Sequence, residues 1–162
     1  MRLFKLDDSL KVKVLYEISR IDKLLDHSSP LINLCKLKEP DYIEITAMAQ
    51  ILHSFYNGVE SIIIIFLKNI NEKMPNDYKW HKTLLEISFG QNSRNYKIFR
   101  DEIKEKLIEY LNFRHFIRHS YSSELIWEDM EQLVKEIEEI WILIKEDFNN
   151  FIQYNPNSPS IA

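Results

Sequence analysis

Residues 96–121 read YKIFRDEIKEKLIEYLNFRHFIRHSY, with apolar side chains at Tyr96, Phe99, Ile103, Leu107 and Tyr110, three or four positions apart. At about 100° per residue these positions fall on one face of a helix, and the spacing predicts a helix from about Arg94 to about Tyr121. Along the same stripe come Arg114, Ile117, Arg118 and Tyr121. Two guanidinium groups thus occupy positions where core residues are expected. A buried charge without a partner costs several kcal/mol or more. The arginines must therefore meet acids of a neighbouring helix, carbonyls at a helix end, a cleft or an anionic ligand.

Working outward, the next segment repeats the pattern through Met130, Leu133, Val134, Ile137, Trp141, Ile144, Phe148 and Phe151. It starts near Trp127, with Glu128, Asp129 and Glu131 where acids complement the helix dipole. Toward the N-terminus, Gly90 closes a short helix from Tyr78 to Ser88. Pro40-Asp41 opens a long one that runs to about Asn71 and includes the apolar run Ile62–Leu67, the mark of a central helix. A first helix spans Ser9 to His27, where Ser28-Ser29-Pro30 is expected to stop it. The 162 residues contain two Gly and five Pro, too few turn formers for a hairpin-rich sheet protein or a glycine-loop nucleotide fold. With 45% hydrophobic and 28% charged residues, the expectation is a single all-α bundle of about five helices over 1–154. A disordered tail over 155–162 is expected to follow.

Cys35 is the single cysteine, so neither an internal disulfide nor a cysteine metal cluster can form. The N-terminus lacks the apolar stretch of a signal peptide, and the longest apolar run is far shorter than a bilayer span. A cytoplasmic protein with no membrane partner is the resulting expectation. The net charge of −4 carries no global nucleic-acid signature, but charge is unevenly placed. Between Arg94 and Ser120 seven Lys and Arg face four acids, and two histidines add to them; between Glu124 and Asp147 nine acids face two lysines. Much of this reads as solvated face and interhelical pairing, yet a local basic segment also steers a polyanion to one place.

His119 lies five residues beyond Arg114, roughly 140° around a straight helix. One straight helix cannot aim both at one phosphate. Either the helix ends or bends near Ser120–Ser123, or two copies of the chain contribute to one groove, as a symmetric dimer would allow. His115 and His119 form an i, i+4 pair, but no glutamate lies between them and an arginine is adjacent, so no metal site is expected. His27, His53 and His81 are isolated and read as packing or surface residues.

The run Arg114-His115-Phe116-Ile117-Arg118-His119-Ser120-Tyr121 fits Arg-x4-His-x-Tyr, with a polar residue directly after the arginine. It resembles the signature of HEPN-domain ribonucleases, and the trailing tyrosine is like that of the HepT toxins of HEPN–MNT toxin–antitoxin pairs. Phe55-Tyr56-Asn57-Gly58-Val59-Glu60 and Trp80-His81-Lys82 also look like HepT-like proteins. The resemblance implies an all-α homodimer with a composite site between protomers and a metal-independent endoribonuclease activity needing no cofactor. It further implies silencing by a minimal nucleotidyltransferase antitoxin that adenylylates the motif tyrosine. Carried over by position, Arg114 and His119 are the catalytic pair and Tyr121 the modified residue. His115 and Arg118 are added as supporting RNA-phosphate contacts, Arg118 from the stripe alone.

The residue types suit that chemistry. RNA carries its own 2′-hydroxyl nucleophile, so a proton-transferring imidazole and a phosphate-holding guanidinium suffice to give a 2′,3′-cyclic phosphate. If the helix persists to Tyr121, that residue is two turns from Arg114 on nearly the same face, and adenylate there competes with RNA phosphate. Asn57, Gly58 and Glu60 support the site from the second helix, or Gly58 only permits close packing. A second reading is a non-catalytic helical module that binds a nucleotidyltransferase or a nucleotide.

Overall fold

Asp41 opens the helix on which the rest of the bundle packs. Its carboxylate accepts the Glu44 amide at 2.8 Å while the Glu44 carboxylate accepts the Asp41 amide at 2.7 Å, satisfying two otherwise orphaned donors. The computed structural model describes residues 7–153, so the tail expected over 155–162 lies outside the described residues. Five helices form in order: α1 (Asp8–Leu37), α2 (Tyr42–Asn69), α3 (Trp80–Ser88), α4 (Lys104–His119) and α5 (Trp127–Gln153). The described residues contain no strand beyond a single isolated bridge between Phe89 and Lys97. The expectation of an all-α bundle holds.

α2 contacts all four other helices, as the Ile62–Leu67 run implied. By length and composition it is the one helix among the described residues apolar enough to cross a bilayer. Half of that window is buried inside the bundle, which is the behaviour of a core helix. Tyr110 of α4 donates to the Leu133 carbonyl of α5 at 2.7 Å, and Trp141 of α5 donates to Asp22 of α1 at 2.7 Å.

α1 does not stop at Ser28-Ser29-Pro30 but continues ten residues beyond His27, to Leu37. Its buried positions Val14, Ile18, Ile21, Leu25, Ser28, Ile32 and Cys35 alternate spacings of four and three straight through the proline. A mid-helix proline costs about 3 kcal/mol, because it removes one backbone donor and crowds the preceding turn. Burying the apolar side chains of the final turns outweighs this, since each contributes about 1.5–3 kcal/mol. Pro30 itself stays on the exposed side.

The predicted start of the fourth helix is corrected as well. Residues 91–100 form a loop, a single 3₁₀ turn covers Asp101–Ile103, and α4 begins at Lys104. Side chains satisfy this backbone in place of helical bonds. Asn92 donates to the carbonyls of Ile87 and Tyr96 and accepts from the amides of Arg94 and Tyr96. The buried carboxylate of Asp147 on α5 accepts the Arg100 amide at 2.9 Å and its guanidinium at 2.8 Å. Tyr96 and Phe99 reach the core from this loop, which is why they mimic a helical stripe.

Gly58 is where α1 and α2 approach most demandingly. A Cβ there would lie 2.7 Å from Cγ1 and 2.8 Å from Cδ1 of Ile21, a stiff side chain that is itself buried. Gly58→Ala is therefore expected to destabilise by about 1–3 kcal/mol through overpacking, against a gain in helix propensity near 1 kcal/mol. In an Ile21→Ala background the same substitution is expected to be neutral or stabilising. Urea denaturation of the four proteins in this cycle checks both statements.

Candidate functional site

Arg114 is 8% exposed, the one guanidinium among the described residues that enters the buried set. Its Nε donates to Asn57 Oδ1 at 2.6 Å and its Nη1 donates to His81 Nε2 at 3.3 Å. With Nε2 accepting from Arg114, His81 Nδ1 in turn donates to Glu60 Oε2 at 2.8 Å. Glu60, only 5% exposed, places its other oxygen 3.9 Å from Arg114 Nη2. The acid that compensates the arginine comes from α2, not from the acid-rich α5.

Local sequence explains the convergence. Asn57 and Glu60 stand three apart on α2, sharing a face toward α4. His81 sits in the first turn of α3, its ring stacked on Trp80 with centroids 3.5 Å apart. His53, one turn before Asn57, lies 3.4 Å from the Asn57 amide nitrogen. Burial, and after it the charges of Arg114 and Arg118, hold the His53 imidazole below the usual histidine range, so it is neutral at neutral pH. Tyr56 is fully buried, and its hydroxyl finds no hydrogen-bond partner among the described residues. Burial and the neighbouring Glu60 raise its ionisation well above the ordinary tyrosine range.

Arg114 and His115 also line a cleft of about 600 Å³ between α3 and α4. His119 is exposed on the last turn of α4, its ring edge-on to that of His115 at 5.0 Å. The helix stays regular through His119, so the roughly 140° between Arg114 and His119 persists and no bend brings them together within one chain.

Two expectations from the stripe are corrected. Arg118 is exposed and makes no ion pair among the described residues, because past Arg114 only Ile117 of the stripe still packs against the core. Tyr121 is not on α4 at all. Ser120 and Tyr121 adopt extended backbone, and the Tyr121 amide donates to Glu124 at 2.6 Å at the start of a 3₁₀ turn over Ser122–Glu124. Its ring is 81% exposed, beside a shallow concavity shared with Gln50, Ile117 and Leu125.

The reading of His81 as an isolated packing or surface residue is corrected, because its ring bridges Arg114 and Glu60. Nothing in its spacing to Arg114 announces the contact, and only the family-like run Trp80-His81-Lys82 offered a signal. Asn57 and Glu60 were visible as a pair, without their partner.

Five helices packed around an internally tethered arginine define an all-α helical bundle protein. The match of residues 47–155 to the family described as HepT-like protein agrees with this, and the chain belongs to that family. Neither a search of curated proteins nor one of solved structures finds a match.

Proposed function

We propose that this protein is the toxin of a toxin–antitoxin pair, an endoribonuclease in which Arg114 of one protomer and His119 of a second act on the same phosphodiester. The observation that carries this reading is the tethering of Arg114. A guanidinium has five N–H donors, and the two hydrogen bonds to Asn57 and His81 fix its plane while leaving three for a phosphate. Preorganised donors of this kind stabilise charge that develops in the transition state without reorganising at the moment of reaction. Membership in a family associated with ribonucleases supports the substrate class.

In the proposed reaction the 2′-oxygen attacks phosphorus, the bond to the 5′-oxygen breaks, and the products are a 2′,3′-cyclic phosphate and a 5′-hydroxyl. His119 moves a proton between these oxygens, Arg114 holds the non-bridging oxygens, and His115 extends the positive surface between them. Arg118 contributes long-range attraction from the exposed side. A dimer is required because the two side chains diverge on one helix. Exposed apolar residues near the end of α4, just before α5 and at the start of α2, among them Phe116, Ile126, Tyr42 and Ile43, offer a face for it.

Tyr121 suits modification by a nucleotidyltransferase partner, since its ring is exposed on an extended backbone next to the last turn of α4. Incubation with total RNA in chelator is expected to yield new 5′-hydroxyl ends, and protein co-expressed with its partner is expected to gain adenylate that Tyr121→Phe loses. An inert, unmodified wild type overturns the nuclease reading in favour of a binding module. Undiminished adenylation of Tyr121→Phe overturns the tyrosine assignment.

A further inference from the structure

The cleft between α3 and α4 extends from Arg114 well beyond the groups that the proposed reaction uses. Its floor is apolar, formed by Leu85, Phe89, Ile108 and Leu111. Its rim carries Lys79, Lys82 and Lys104, and Glu86 is the one acid in the lining. None of these three lysines has a carboxylate partner among the described residues, whereas Lys106, Lys135 and Lys145 on α4 and α5 are paired with Glu136, Glu131 and Asp22. The Lys104 ammonium rests 5.7 Å from the Phe89 ring centroid, and that of Lys79 rests 5.4 Å from the ring of Tyr78. Tyr78 itself is 88% exposed at the mouth.

A volume of about 600 Å³ lies in the roughly 300–1,000 Å³ range of small-molecule clefts. The combination of an apolar floor, cations without carboxylate partners on the rim and an exposed aromatic at the mouth matches a nucleotide strand. Bases take the apolar and aromatic surfaces while phosphates take the ammonium groups. An acidic peptide would use the rim and leave the floor and Tyr78 empty. A base-paired duplex cannot offer its base faces to the floor.

We propose that the α3–α4 cleft is a subsite for single-stranded RNA, holding one unpaired base on its floor with the adjacent phosphate on Lys82 and Lys104, and a neighbouring base on Tyr78. The subsite rests on the nuclease reading, because it leads the strand to Arg114. It gives the enzyme a preference for unpaired regions flanking the cleaved bond.

The test uses the full chain carrying His119→Ala, so that a labelled single-stranded RNA of roughly ten nucleotides stays intact during anisotropy titrations. Tyr78→Ala, Lys82→Ala and Lys104→Ala are each expected to weaken binding about tenfold. Each lysine change is expected to lower the slope of log affinity against log salt by about 0.7. Lys23→Ala, on the exposed side of α1, is expected to leave both unchanged, and melting temperatures confirm that the exposed-site variants fold.

Cleft variants that weaken binding no more than Lys23→Ala overturn the subsite. Adenosine monophosphate that competes as well as the strand at equal concentration overturns it in favour of a free-nucleotide site. The two readings also separate. Cleft-dependent RNA binding without cleavage by the wild type removes the nuclease and keeps the subsite, whereas cleavage indifferent to Tyr78, Lys82 and Lys104 removes the subsite and keeps the nuclease.

Discussion

Arg114→Lys and His119→Ala are each expected to lower RNA cleavage by about a hundredfold or more, and an equimolar mixture after subunit exchange to recover roughly a quarter of wild-type activity. The recovery follows from the geometry of α4. Arg114 faces inward against Asn57 and His81, while His119 is exposed about 140° around the same helix, so a phosphate held by one chain's arginine must meet the other chain's histidine. In a mixed dimer one site then combines both damaged residues and is inactive, and the second combines both intact ones. Half the dimers are mixed, and each has one working site of two. Lysine is the better replacement because it keeps a cation beside Glu60 while losing the planar fork that grips two phosphate oxygens. If each site is built within one chain, the mixture stays as inactive as its components. Cleavage rates measured before and after exchange decide between these outcomes.

Helices are local objects, and most of this fold was legible for that reason. The three-and-four spacing of α5 and the Asp41 cap of α2 each encode their element within a few residues. The two misreadings share one cause. Pro30 carries a local signal to stop, overridden by the tertiary burial of Ile32 and Cys35, which local sequence does not display. Tyr96 and Phe99 keep a helical spacing while sitting in a loop, because the bonds that hold that loop come from Asn92 and from the distant Asp147. The site divides in the same way. Arg114 declared itself as a charge on an apolar stripe, and the motif marks His119 and Tyr121. The partners that fix Arg114 lie 57 and 33 positions away in the chain, at Asn57 and His81. Such contacts leave no trace in spacing, and a single sequence offers no covariation to reveal them.

Glu60→Ala is expected to lower stability by about 3–5 kcal/mol, roughly 10 °C in Tm for a chain of this size. Glu60 and Arg114 are both nearly inaccessible to water, and their attraction offsets the desolvation of each. Removing the carboxylate leaves the guanidinium buried with no acidic partner beside Asn57 and His81, and strips His81 Nδ1 of its acceptor. Glu60→Gln retains an acceptor for His81 but no charge, so its cost falls between that of alanine and the wild type. The double variant Glu60→Ala, Arg114→Met removes both charges together and is expected to be more stable than Glu60→Ala alone; with wild type and Arg114→Met it completes the cycle that measures the coupling. Thermal melts of the four proteins supply the comparison. The functional consequence is separate from the structural one. At a temperature where Glu60→Gln is fully folded, its cleavage rate is expected to fall while RNA affinity changes little, because the cleft lysines still bind the strand and only the aim of Arg114 is lost. A Glu60→Ala protein within about 1 kcal/mol of the wild type would mean that the Glu60 carboxylate does not compensate the buried guanidinium, leaving Asn57 and His81 alone to hold it.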